Sequence, residues 1–176
     1  TWPTQVMVIF PTLAAVKQFN REKLKPTITA SEVLRRHVRE EKSRAADGSS
    51  TLFKTFPGGF FVLTGANSTA DLASKTVQYL LADEVDRWPL DLEGQGDPMK
   101  MADARMISFH QTGDHKKLEG STPTIAGLSR IDDAFDAGDQ RQYHVPCPHC
   151  GGMQVLAFER LRYRRRFPHK AEYPCR

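Results

Sequence analysis

Residues 77–84 read VQYLLADE, an apolar run that ends in two adjacent carboxylates. A short run of this kind is typical of a strand that is buried on both faces of a parallel sheet. In open α/β sheets, ligands collect outside the carboxyl ends of the strands. The pattern therefore predicts a buried strand that delivers Asp83 and Glu84 to a binding site at one edge of a sheet.

Two carboxylates at such an edge can divide two tasks. Asp83 can hold the Mg²⁺ of a bound nucleotide, because magnesium prefers hard oxygen ligands. Glu84 can orient an attacking water and act as its general base. The plainer alternative is that the pair simply starts a helix, where carboxylates suit the positive end of the helix dipole. These eight residues alone leave both interpretations open.

The flanking segments alternate strands with helices, which predicts an α/β sheet covered on both faces. Strands are predicted at residues 5–10, 51–56, 60–63 and 116–121, and helices from residue 13, at 32–42, 98–110 and 129–137. Pro57-Gly58-Gly59 joins two of these strands and is a hairpin signal. The helix that begins near Leu13 is expected to end before Pro26, and Asp97 is expected to cap the helix that Pro98 opens.

Three cysteines suggest a metal site rather than a disulfide framework, because their number is odd and two of them form C-x-x-C. Cys147 and Cys150 can share one tetrahedral Zn²⁺, and Cys175 follows after 24 residues. The sequences VPC at 145–147 and YPC at 173–175 repeat one another, as the two turns of a zinc ribbon would. We therefore expect zinc at these cysteines, with a fourth ligand just beyond the last residue. Reduced structural thiols are the alternative.

A basic run lies between the two cysteine turns. Its basic and aromatic residues are Arg162, Tyr163, Arg164, Arg165, Arg166 and Phe167. Cations interleaved with aromatics can grip a phosphate backbone, and a solvated loop is the alternative. The run belongs to a segment, 160–176, with seven Lys/Arg against one Glu, in a chain whose net charge is +4.

Length and composition set the remaining limits. With 39% apolar and 26% charged residues, the 176-residue chain can bury a core and is not disordered throughout. No apolar run approaches the roughly 20 residues of a membrane helix, so we expect no membrane partner. We place a domain boundary at about 139–142, which gives domains of 1–142 and 143–176. The first residue is not Met and the chain stops just after a cysteine, so we expect a piece of a longer protein.

Eight short blocks occur along the chain in a distinctive combination. They are FPGGF (56–60), LTGANS (63–68), DLAS (71–74), ADEVDR (82–87), GSTPT (120–124), SRI (129–131), DQR (139–141) and YHVPCPHCG (143–151). In this order they resemble the lambda-type large subunits of phage terminases over essentially the whole chain. The resemblance implies a phosphate-loop NTPase-like parallel sheet flanked by helices, incomplete here, followed by a partial zinc ribbon. In the full-length protein it implies an ATPase joined to an endonuclease.

The resemblance also assigns roles to residues. Asp83 would be the magnesium carboxylate of the Walker B strand, and Glu84 the general base. Ser121, Thr122 and Thr124 would form a coupling motif that senses the γ-phosphate, which suits hydroxyls because they donate to phosphates or hold a water. An ordinary turn is the alternative for these three residues.

The phosphate-binding loop of the family is a clear departure. No G-x-x-x-x-G-K-[ST] occurs in the 176 residues. In the family this loop lies upstream of the strand that corresponds to residues 5–10. We therefore expect the isolated chain not to hydrolyse ATP.

The resulting hypothesis is a piece of a homo-oligomeric, ATP-driven DNA-packaging motor. Its cofactors would be ATP-Mg²⁺ and Zn²⁺, its partners double-stranded DNA, the small terminase subunit and the portal protein, and its location the host cytoplasm. One alternative is a superfamily-2-like helicase or another DNA-dependent ATPase, although those enzymes usually place Ala-Asp or Ala-His after Asp-Glu, where this chain has Val85-Asp86. The other is a non-catalytic zinc-ribbon DNA-binding module, which the long α/β portion disfavours.

Overall fold

A five-stranded sheet is the largest sheet of the computed structural model, which describes residues 4–38, 50–163 and 171–175. Its strands are β1 (Gln5–Phe10), β2 (Phe53–Phe56), β3 (Gly59–Gly65), β4 (Tyr79–Asp83) and β5 (Lys116–Gly120). Their order is β2-β3-β1-β4-β5. All neighbouring strands are parallel except β2, which forms the expected hairpin with β3 at one edge. The predicted α/β class is therefore confirmed, with a sheet in which parallel pairs dominate.

Short helices connect the strands. They are α1 (Leu13–Phe19), α2 (Lys25–Ala30), α3 (Glu32–His37), α4 (Thr69–Ala73), α5 (Pro98–Asp103), α6 (Ile107–His110) and α7 (Arg130–Ala137). The expected cap of α5 is present, because the Asp97 side chain accepts the Met99 N–H at 2.9 Å. The helix predicted at 32–42 is shorter than expected, because α3 ends at His37 and Val38 is already extended; residues 39–42 lie outside the described ranges.

The helix that begins at Leu13 does not end before Pro26, so that expectation is wrong. A π-helical turn, Asn20–Leu24, follows α1 and leads directly into α2, which holds Pro26 in its first turn. In the wide turn the Lys25 N–H bonds the Asn20 carbonyl five residues back. Proline is tolerated at the start of a new helical segment, where its missing N–H is not needed.

The sheet has a core on each face. Met7 and Ile9 of β1 belong to one cluster, to which α4 and α5 contribute, whereas Val8 and Phe10 belong to a second cluster that Val16 of α1 completes. Successive side chains of a strand point to opposite faces. Burial on both faces therefore explains why the strands read as continuous apolar runs.

The chain divides by its internal contacts into two units, Thr1–Asp133 and Ala134–Arg176. The second unit contains two antiparallel strand pairs: β6 (His144–Pro146) with β7 (Met153–Val155), and β8 (Arg162–Tyr163) with β9 (Ala171–Glu172). The domain boundary near residues 139–142 stays a prediction. Within the described ranges, every helix is too short or too polar to cross a membrane.

Candidate functional site

Parallel strands of the first unit end together at one edge of the sheet. Gly65 at the end of β3 lies beside Phe10 of β1, and Asp83 at the end of β4 lies beside Gly120 of β5. Ser121 directly follows β5. The sheet register thus brings the predicted acidic pair and the predicted Ser/Thr motif to neighbouring positions.

Asp83 and Glu84 occupy a sharp turn at the end of β4. The Asp83 side chain is exposed. The backbone carbonyl of Asp83 accepts the indole N–H of the buried Trp88 at 2.9 Å. Glu84 has φ 55° and ψ 47°, in the left-handed region. Such a conformation costs a non-glycine residue roughly 1–2 kcal/mol, and backbone strain of this kind clusters at functional sites. Only a single 3₁₀ turn, Val85–Arg87, follows, so a helix dipole does not account for the pair.

The Glu84 carboxylate has one ionic partner among the described residues. Arg87 Nε lies 3.2 Å from Glu84 Oε2, and the two side chains are 66% and 35% exposed. Exposed ion pairs contribute little stability because water screens them. The contact therefore orients the Glu84 side chain at the turn more than it stabilises the fold.

The three hydroxyl residues after β5 differ in what they contact. Ser121 Oγ accepts the Asp86 backbone N–H at 3.2 Å. Thr124 donates both its backbone N–H and its hydroxyl to Asp86 Oδ2, at 3.0 and 3.2 Å. Thr122 is exposed, and nothing in residues 4–38, 50–163 or 171–175 hydrogen-bonds its hydroxyl. Of the three, Thr122 is therefore the one whose hydroxyl is available to a ligand.

Asp86 accepts or donates most of the hydrogen bonds in this part of the site. Sequence reasoning gave it no role. Its Oδ1 accepts the Ile131 backbone N–H at 3.0 Å. Burial raises the pKa of Asp86, but hydrogen bonds from Ile131, Ser129 and Thr124 outweigh burial and leave the pKa below its usual value. Its partners lie up to 45 residues away along the chain, a separation that no local pattern reveals. The one available signal was its position in the ADEVDR block.

Arg130 is a second residue that sequence reasoning left without a role. Its guanidinium donates to the Pro89 carbonyl at 2.9 Å and pairs with Asp97 at 3.1 Å, with the Arg130 side chain only 16% exposed. Arg130 therefore joins the start of α7 to Pro89, in the loop after the Asp83–Glu84 turn (the acidic turn), and to Asp97, the cap of α5.

The residues at the strand ends suit a nucleotide-bound magnesium ion. The exposed Asp83 carboxylate and the available hydroxyl of Thr122, which follows the neighbouring strand β5, offer hard oxygen donors, the ligand type that Mg²⁺ takes. The donor chemistry therefore fits the ion that the acidic pair was predicted to hold.

The second unit brings the three cysteines together. The sulfurs of Cys147, Cys150 and Cys175 lie within 4.8 Å of one another, with Cys150 Sγ and Cys175 Sγ 3.3 Å apart. A tetrahedral zinc with Zn–S bonds near 2.3 Å separates its sulfurs by about 3.8 Å. The three thiols therefore fit the coordination shell of one zinc ion.

The thiols also perturb one another. Backbone N–H groups of His149 and Cys150 lower the pKa of Cys147 to about 7. Hydrogen bonds to Cys150 and then to Cys147 raise the pKa of Cys175 to about 11. The two pKa values therefore move in opposite directions: backbone donors favour the thiolate of Cys147, and the sulfurs beside Cys175 disfavour a second thiolate there.

The predicted basic run is only partly described. Arg162 is exposed on β8 and lies opposite Glu172 in the strand register. Arg164, Arg165 and Arg166 lie outside the described residues. DNA contact by this run stays a prediction.

Two terminase large subunits are similar to the chain in sequence. The protein of Enterobacteria phage P21 is 30% identical over 150 residues, which is 84% of this chain and 23% of that protein. The protein of Escherichia phage lambda is 26% identical over 153 residues, 86% of this chain and again 23% of that protein. The chain thus spans less than a quarter of the length of these relatives.

Solved structures support the fold, and a family model gives the affiliation. The Thermus phage P74-26 large terminase ATPase domain superposes with a TM-score of 0.52 at 16% identity, covering 88% of this chain and 61% of that one. The model of the phage terminase large subunit gpA, ATPase domain, matches residues 1–176. Because this match spans the whole chain, the chain belongs to the family of the phage terminase large subunit gpA ATPase domain.

Proposed function

We propose that the chain supplies the acidic and γ-phosphate-sensing half of the nucleotide site in an ATP-driven DNA-packaging motor. The observation that carries the proposal is the register of the parallel strands β4 and β5, in which Asp83 lies beside Gly120, so that Glu84 and Thr122 both follow neighbouring strand ends. Because no phosphate-binding loop occurs in these 176 residues, this half should not turn over ATP by itself.

Each residue has a task that its position suits. Asp83 would hold the magnesium ion of the nucleotide, and such an ion neutralises charge that develops on the phosphates. Glu84, in the turn directly after β4, would orient the attacking water and take its proton. The Thr122 hydroxyl would donate to the γ-phosphate or hold the water.

The second unit would serve DNA. Cys147, Cys150 and Cys175 would hold a structural zinc as part of a ribbon, with a further ligand completing the tetrahedron. The Arg162 to Arg166 run would contact the phosphate backbone. By similarity to the terminase large subunits, the full-length protein would also carry an endonuclease, assemble with the small subunit and the portal, and act in the host cytoplasm.

The decisive experiment replaces Glu84 in the full-length protein. Glu84→Gln keeps the shape of the side chain but removes its basicity, so ATP hydrolysis should fall by about 10²–10⁴ while nucleotide binding remains. Glu93→Gln is a matched control, because Glu93 is also a loop glutamate with positive φ, at 54°, and it lies outside the site. Near-normal turnover by Glu84→Gln would place the general base elsewhere.

A further inference from the structure

Three hydrogen bonds converge on the carboxylate of Asp86, two residues beyond Glu84. Thr124 donates twice to Oδ2, and Ile131 donates its backbone N–H to Oδ1. All three donors are neutral groups. Within the described ranges no lysine or arginine pairs with Asp86, so the carboxylate is not there to balance a nearby cation.

The bonds of Asp86 bracket Thr122. The Asp86 backbone N–H is held by Ser121 Oγ at 3.2 Å, and the Asp86 carboxylate holds Thr124. Both neighbours of the Thr122–Pro123 step are thereby fixed to one residue, whereas the Thr122 hydroxyl is left available. Asp86 itself lies within the 3₁₀ turn Val85–Arg87, which starts directly after Glu84.

A capping role alone does not explain these contacts. The first turn of α7 already has a cap, because Ser129 Oγ accepts the Asp132 N–H at 3.2 Å. A cap would also need none of the bonds to Thr124. Asp86 therefore joins three parts of the site that lie apart in the chain: the acidic turn, the loop 121–124 that carries the hydroxyls, and the start of α7.

We propose that Asp86 is a positioning residue whose carboxylate holds the Thr122 hydroxyl in register with the Asp83–Glu84 pair and ties both to the first turn of α7. The proposal rests on the proposed function, since the task it assigns belongs to the hydrolysis carried out at Glu84. Asp86 touches no reacting atom and acts through the placement of Thr122.

The first arm of the test uses Asp86→Asn in the full-length protein. The amide keeps the volume of the side chain, but its NH₂ donor faces the N–H of Thr124 or of Ile131. The hydrogen bond to one of these two residues is therefore lost. We expect kcat for ATP to fall by roughly 10–100-fold, the scale of a small misplacement at an active site, with KM little changed. Asp132→Asn is the matched control, because it removes an exposed carboxylate from the same turn of α7 and should keep the wild-type kcat.

The second arm is a double-mutant cycle with Thr122→Val. If Asp86 acts by placing Thr122, the loss caused by Thr122→Val should largely disappear in the Asp86→Asn background. A purely structural contribution of Asp86 predicts independent losses that multiply. Thr124→Val removes only one hydroxyl bond from Asp86 in an exposed loop, and it should lower kcat about threefold, the scale of one hydrogen bond.

Several outcomes overturn the proposal. A wild-type kcat in Asp86→Asn, or losses that multiply across the cycle, would do so. If Asp86→Asn does not fold, Thr124→Val replaces it in the cycle, and an unchanged kcat or multiplicative losses there count equally against the proposal. Failure of the proposed function is visible separately, because the unmodified full-length protein would then hydrolyse no ATP.

Discussion

At the scale of single residues, the left-handed backbone of Glu84 has a consequence for stability. With φ at 55°, any side chain with a Cβ is strained there and glycine is not. The Glu84 side chain is therefore held at this turn at a cost to folding, a cost that the proposed role of Glu84 in hydrolysis would explain.

A pair of substitutions at Glu84 separates backbone strain from loss of the side chain. Glu84→Gly and Glu84→Ala both remove the carboxylate and its contact with Arg87, but only glycine relieves the strain. In urea unfolding, the glycine variant should be more stable than the alanine variant by about 1 kcal/mol. The same two substitutions at Glu119, an ordinary strand residue, should give the reverse order by about 0.5–1 kcal/mol. Equal stabilities at Glu84 would show that its backbone is not strained.

At the scale of elements, the segment that follows β1 lies too close to the end of β3 for a side chain at Gly65. A Cβ there would lie 2.7 Å from the Leu13 nitrogen and 2.9 Å from the Thr12 carbonyl carbon. Both atoms are backbone atoms, which cannot turn aside as a side chain can. The loop that leads into α1 is therefore seated directly against the end of β3.

Gly65→Ala should destabilise the fold by about 1–3 kcal/mol, the usual cost of overpacking. Gly120→Ala is the matched control, because Gly120 also ends a parallel strand but a Cβ there would meet nothing within 4 Å. That variant should be neutral or slightly stabilising. Urea midpoints of the two variants measure the difference. Equal midpoints would mean that the loop before α1 moves away from the end of β3 at little cost.

The elements were predictable to the extent that their signals are local. The apolar run before Asp83, the hairpin glycines and the Asp97–Pro98 helix start all depend on neighbouring residues, and the structure has each of them. The continuation of the helix through Pro26 was missed because a π-helical turn has no pattern in sequence. The order β3-β1-β4-β5 and the contacts of Asp86 and Arg130 were missed for another reason, since they join segments far apart in the chain.

At the scale of the whole molecule, charge is divided unevenly between the two units. Residues 134–176 contain eight Lys/Arg and four Asp/Glu, whereas residues 1–133 contain 17 of each. The entire net charge of +4 therefore resides in the second unit. A basic unit attracts polyanions at long range, and added salt weakens that attraction.

Zinc should be the main support of this second unit, because a small unit with little core gains much of its folding energy from a metal. The full-length protein should contain about one equivalent of zinc, and Cys147→Ser should lose it. His149→Ala is the control, since His149 lies between the two thiols of the turn and is outside the sulfur cluster. After chelation, proteolysis should cut the region beyond residue 142 and spare the sheet of the first unit. Full zinc content in Cys147→Ser would show that these cysteines are not its ligands.

The indole of Trp88 is an intrinsic fluorescent probe of the site. The ring is 4% exposed, and its N–H is bonded to the carbonyl of Asp83 itself. Tryptophan emission depends on the polarity around the ring and on the bond its N–H makes. Any event that displaces the end of β4 therefore changes the intrinsic fluorescence of the protein, and the acidic turn can be followed in real time without a dye or a labelled nucleotide.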